Sequence, residues 1–120
     1  MAPRTPAASL TDIVEAIELI LGDMDGLSLE SLTADRRQLW VIERGIEIVS
    51  EASRRLPDDM KARHTSTPWR KIAGIGNVLR HEYAELSPGL LWLVIRDHLP
   101  SLLEVCRIEL TRCETSENLD

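Results

Sequence analysis

The segment Gly76-Asn77-Val78-Leu79-Arg80-His81-Glu82-Tyr83 places an amide, a guanidinium, an imidazole and a phenol within eight residues. The whole chain holds only three histidines and one tyrosine. An imidazole titrates near neutrality and can carry protons to and from oxygen. A guanidinium can grip a phosphate and stabilise charge that develops on it. The chemistry this set suits is cleavage of an RNA phosphodiester by its own 2′-hydroxyl. His81 would move protons, Arg80 would hold the phosphate, and Asn77, one turn away, would orient the imidazole. The set lacks the clustered carboxylates of a two-metal nuclease, so neither a metal nor a cofactor is expected.

Helical spacing puts Arg70, Gly74, Asn77 and His81 on one face, with Arg80 beside them. Arg70 and Lys71 are the expected RNA-binding cations. Gly74 and Gly76 leave room for a close approach, which would offset the helix propensity they forgo. Plainer roles fit the same residues. A histidine in a last turn also partners the helix dipole. Tyr83 can be a core residue with its hydroxyl at the rim. Arg80 can pair with Glu82 or Glu85. His64 and His98 stand in polar contexts without a recognisable partner and read as surface residues.

The elements that must position this set read as helices. Ser9 is the expected N-cap of a first helix, and Leu10, Ile13, Val14, Ile17, Ile20 and Leu21 follow helical spacing. Gly22 and Asp25-Gly26 end it. Ser28 can cap a short turn through Leu32. A long helix runs from about Ala34 to Leu56, with Leu39, Ile42, Ile46, Val49, Ala52 and Leu56 inward, and Pro57 stops it. A polar connection over 57–67 has room for one helical turn. Thr67 and Pro68 open the helix that carries the motif, with Ile72, Ile75 and Leu79 inward. Ser87-Pro88 opens the next, with Leu90, Leu91, Val94 and Ile95 inward. Pro100 implies a kink or restart before Leu102, Leu103, Cys106 and Leu110. No strand pattern competes. The expectation is an all-α fold, an antiparallel up-and-down bundle of four to five helices in one domain over 1–120, with 1–8 and 114–120 flexible.

Composition agrees with a folded domain: 43% of residues are hydrophobic and 28% charged. There is no phenylalanine, so the core must rest on aliphatics, with Trp40, Trp69 and Trp92 as large anchors. The net charge of −6 argues against a general nucleic-acid footprint. The charge is uneven, however. Arg54 to His81 holds seven Lys or Arg against two acids, so the remainder of the chain carries the acidic excess. Cys106 and Cys113 lie about 10 Å apart by helix rise, too far for a mutual disulfide, and fit buried thiols in a reducing cytoplasm. No run approaches membrane-spanning length.

The chain resembles the HepT-like branch of the HEPN superfamily. The resemblance rests on Pro68-Trp69-Arg70-Lys71-Ile72-Ala73-Gly74, then Asn77-x-Leu79-x-His81-Glu82-Tyr83. Upstream, Ile46 to Ala52 is similar to that family's segment ending in Gly-Glu-Ala. Downstream, Leu91-Trp92 and Asp97-His98-Leu99-Pro100 resemble its tryptophan and Asp-x-Leu-Pro region. The likeness covers roughly residues 9–110. It implies a helical homodimer that brings two motifs to a shared cleft. It implies a metal-independent endoribonuclease, the toxin of a toxin–antitoxin pair, whose antitoxin is a minimal nucleotidyltransferase. By position His81 is the catalytic imidazole, and Tyr83 is the tyrosine to which the antitoxin adds AMP. The family pattern is RxxxxHxY, and Gly76 stands where its arginine belongs. Arg80 or Arg70 would have to supply the guanidinium. The alternative is a catalytically degenerate module that pairs with the nucleotidyltransferase.

Overall fold

A computed structural model describes residues 5–81 and 88–118; the side chains of Arg80, His81, Glu117 and Asn118 lie outside that description. Six helices follow one another: α1 (Pro6–Met24), α2 (Leu29–Ala34), α3 (Arg36–Arg54), α4 (Asp58–Ala62), α5 (Trp69–His81) and α6 (Pro88–Asn118). No strand occurs among the described residues. The architecture is the expected all-α bundle, with α2 and α4 as short connectors between the long helices.

Local chemistry sets the helix starts. Thr5, not Ser9, caps α1, accepting from the Ala8 amide at 3.1 Å. Pro6 suits the first turn, where no amide is needed, so the helix begins earlier than the Ser9 reading placed it. Ser9 is instead buried in the helix, and its hydroxyl has no partner among the described residues. Gly26 ends the turn after α1 with φ +76°, a conformation that favours glycine. Ser28 caps α2 through the Ser31 amide, and Asp35 caps α3 through the Gln38 amide.

The core is aliphatic. Leu10, Ile13, Ile17 and Ile20 of α1 meet Ile42, Ile46 and Val49 of α3, Ile72 and Leu79 of α5, and Leu91, Leu99 and Leu102 of α6. Two expected core residues are not there. Trp40 is 51% exposed and Leu90 is 46% exposed. Trp40 lies beside the α3 stripe, and the Arg36 guanidinium covers its ring at 5.2 Å from the centroid. Trp69 and Trp92 are half-buried at the rim. Trp69 is held by its indole N–H, which donates to the carbonyls of Lys61 and His64, both at 3.1 Å.

α6 continues through Pro100 to Asn118 as one helix, so of the kink or restart expected at the proline no restart occurs, and the helix outruns the expected end at about Cys113. Pro100 and Arg96 are both exposed, so the carbonyl that loses its intrahelical donor faces water. Buried Leu99, Leu102, Leu103 and Cys106 hold the helix on both sides of the proline. The acidic segment after Cys113 simply extends it.

Two close crossings fix α3 between its neighbours. On one side, a Cβ built on Gly45 would meet Ile20 Cδ1 of α1 at 2.7 Å. On the other, a Cβ built on Gly76 would meet Ser50 Oγ at 2.6 Å and Ser50 Cβ at 3.0 Å. α3 and α5 therefore approach at Ser50 and Gly76 so closely that a side chain at 76 would require Ser50 to shift.

Candidate functional site on α5

The Ser50 hydroxyl stitches the α3–α5 crossing. It donates to the Ala73 carbonyl at 2.7 Å and accepts from the Gly76 amide at 3.0 Å. Arg54, one turn further along α3, donates through Nη2 to the same Ala73 carbonyl at 2.6 Å. Both residues reach the first half of α5, in keeping with the antiparallel course of the bundle. Gly76 is buried in this contact. The close approach expected at Gly76 is a helix crossing, with Ser50 of α3 against it. Gly74 differs: an added Cβ there meets nothing within 4 Å.

The polar face of α5 lies where the spacing placed it. Arg70, Lys71 and Asn77 are all exposed, opposite the buried Ile72 and Leu79. The α5 backbone continues to His81. The side chains of Arg80 and His81, and the whole of Tyr83, fall outside the described residues, so of the expected set only Arg70, Lys71 and Asn77 are described, as exposed residues of α5. Beside Gly76 a polar cleft of about 220 Å³ opens between α3 and α5, lined by Arg44, Glu47, Ser50, Glu51 and Gly76. Arg44 pairs with Glu47 at 3.2 Å. Glu51 pairs with Arg54 at 3.5 Å and Arg55 at 3.3 Å. Among the described residues the cleft lining thus holds one guanidinium, Arg44, and two carboxylates, Glu47 and Glu51, the latter paired with Arg54 and Arg55 outside it.

A second polar cluster, between α4 and α6, was not expected. Glu109 is only 1% exposed. It accepts from Arg63 Nη2 at 2.6 Å and bonds His64 Nε2 at 2.7 Å, with Arg112 Nε 3.8 Å away. His64 is thus not the unpartnered surface residue its context suggested. The Arg63 hydrogen bond, outweighing burial and helped by His64, holds the Glu109 carboxyl below its ordinary value. Burial, with the Glu109 charge nearby, pushes the Cys106 thiol up to about 12. A signal for this cluster was present: Leu102, Cys106, Glu109 and Cys113 continue one helical stripe, and a glutamate on an apolar stripe demands a cation.

Among the described residues no group of three His, Cys, Asp or Glu side chains is placed to hold a metal ion. No described helix is long and apolar enough to cross a membrane.

The family model described as ribonuclease HepT-like matches residues 12–108, and the chain belongs to that family. It is 36% identical over 93 residues to a protein of Thermococcus cleftensis named "Probable ribonuclease HepT", covering 78% of this chain and 84% of that one. It is 30% identical over 99 residues to a Caldanaerobacter subterraneus protein whose name reads "Putative RNase", covering 82% and 88%. No solved structure matches the chain significantly.

Proposed function

We propose that this chain is a metal-independent endoribonuclease, the toxin of a toxin–antitoxin pair, acting as a cytoplasmic homodimer with the cut made at the dimer cleft. His81 transfers protons to and from the attacking 2′-hydroxyl and the leaving oxygen. Arg80 neutralises the phosphate, and Asn77 orients the imidazole. Arg70 and Lys71 hold the RNA strand on either side. The partner is a nucleotidyltransferase antitoxin that adds AMP to Tyr83 and so silences the site. The observation that carries this reading is the exposed face of α5, where Arg70, Lys71 and Asn77 lead along one helix to His81. Family membership supports it. The test is the chemistry of the products. Attack by the 2′-hydroxyl leaves a 2′,3′-cyclic phosphate, and a 2′-O-methyl group at the cut nucleotide blocks it.

A second reading rests on Gly76. Its burial against Ser50 favours a degenerate module that binds the nucleotidyltransferase without cutting RNA. Stable co-purification with that partner, with no cleavage at any protein concentration, would support it.

A further inference from the structure

The chain lacks a guanidinium at position 76, and a side chain there would require Ser50 to move. A phosphate approaching the end of α5 must therefore be held by Arg80 and by whatever cation a neighbouring helix offers. The two helices share a register. Ser50 and Gly76 are level with each other, and the helices are antiparallel. His81 lies five residues past Gly76, about 7.5 Å along α5. On α3, Arg44 lies six residues before Ser50, about 9 Å in the same direction. Arg54 lies four residues after Ser50, about 6 Å in the opposite direction, and its Nη2 is committed to the Ala73 carbonyl. Of these two α3 arginines, Arg44 stands level with His81 and Arg54 does not.

Arg44 also has the right freedom. It lines the polar cleft beside Gly76. Its side chain is 72% exposed, and its pairing with Glu47 at 3.2 Å is a surface contact between residues three apart on one helix. Such pairs contribute little, so a phosphate can take the guanidinium at small cost. The other carboxylate of the cleft, Glu51, is held by Arg54 and Arg55. Arginine presents a planar fork that matches two phosphate oxygens at once.

We infer that Arg44, from α3, binds the RNA phosphate beside His81 as a second cation to Arg80, from a helix other than the one that carries Gly76. This rests on the ribonuclease reading above and adds a residue from a different helix to it. The experiment compares the intact protein with Arg44→Ala, Arg44→Lys and, as a charge-matched control, Arg107→Ala, whose side chain pairs with Glu18 on the surface. Two readouts are taken: cleavage of a single-stranded RNA, and binding of the same sequence with 2′-O-methyl sugars across a salt series. Arg44→Ala is expected to slow cleavage at least tenfold. It should also lower the slope of log affinity against log salt by about 0.7, the share of one phosphate contact on a single strand. Arg44→Lys should restore the slope and only part of the rate. Arg107→Ala should change neither, and melting temperatures should match throughout. Arg44→Ala protein that cuts and binds like the parent, where His81→Ala does not cut, overturns the inference and leaves the ribonuclease reading standing. Absent cleavage by the parent protein, with the Arg44→Ala loss of slope retained, supports the phosphate contact and sinks the ribonuclease reading. A parent protein that neither cuts nor binds RNA overturns both.

Discussion

The hydroxyl of Ser50 occupies the space that any side chain on residue 76 would need, 2.6 Å from the Cβ that Gly76 lacks. Because that hydroxyl is also bonded on both sides, to the Ala73 carbonyl and the Gly76 amide, it cannot swing aside freely. Gly76 is fixed by packing, and a missing arginine at this point is a property of the helix crossing as much as of one residue.

This gives a stability prediction. Alanine is a better helix former than glycine by about 1 kcal/mol. Gly76→Ala should nevertheless destabilise the fold by about 1–3 kcal/mol, as overpacking does. Ser50→Gly should recover part of that loss in the double variant, with a coupling of about 1–2 kcal/mol in a double-mutant cycle. Urea denaturation of the four proteins measures it. Additive effects would contradict the contact. Restoring arginine at 76 alone should fail to fold normally, so it can test activity only with glycine at 50.

The Glu109 cluster predicts an acid sensitivity. The folded carboxyl titrates below its ordinary value of 4.5. The stability it contributes is therefore complete above the unfolded value and is lost as pH falls through the lower folded one. Glu109→Gln should flatten the stability curve below about pH 4.5, near the ordinary glutamate range. At pH 7, Glu109→Ala should cost about 2–3 kcal/mol, below the usual figure for breaking a buried pair because Arg63 can reach water. Urea midpoints between pH 3 and 7 decide both.

The two thiols should differ in reactivity. Cys106 is fully buried, and its thiol is pushed up to about 12. Cys113 is half-buried beside a cavity at the start of α1. Native protein treated with iodoacetamide at pH 8 should be modified at Cys113 well before Cys106. Unfolding in guanidinium should remove the difference. Equal rates in the native state would contradict the burial of Cys106. Peptide mass spectrometry reads the order.

Much of the fold was legible because aliphatic periodicity is a strong signal. Leu10 to Ile20, Ile42 to Val49 and Leu91 to Ile95 supplied the inward faces directly. The misreadings were of three physical kinds. Ser9 and Thr5 both fit a cap, and Pro6 decided for the earlier one. Pro100 allows a kink or a restart, and exposed Arg96 lets the helix continue without the restart. Trp40 and Leu90 are apolar residues just off a buried stripe, where one step of helix rotation separates core from surface. At the candidate site, spacing alone gave the exposed face of Arg70, Lys71 and Asn77. It could not give the Ser50–Gly76 contact or the partnership of His64 with Glu109, since both join residues distant in sequence.

Metal-independent cleavage of RNA by His81 can be measured in a single assay. A labelled single-stranded RNA is incubated in excess EDTA with the parent protein and with His81→Ala, and both proteins are shown by circular dichroism and melting to share one fold. The account predicts chelator-resistant cleavage by the parent and a loss of about 10²–10⁴-fold in the variant, the range that general acid–base catalysis supplies. Cleavage that persists at the parental rate in His81→Ala would contradict it.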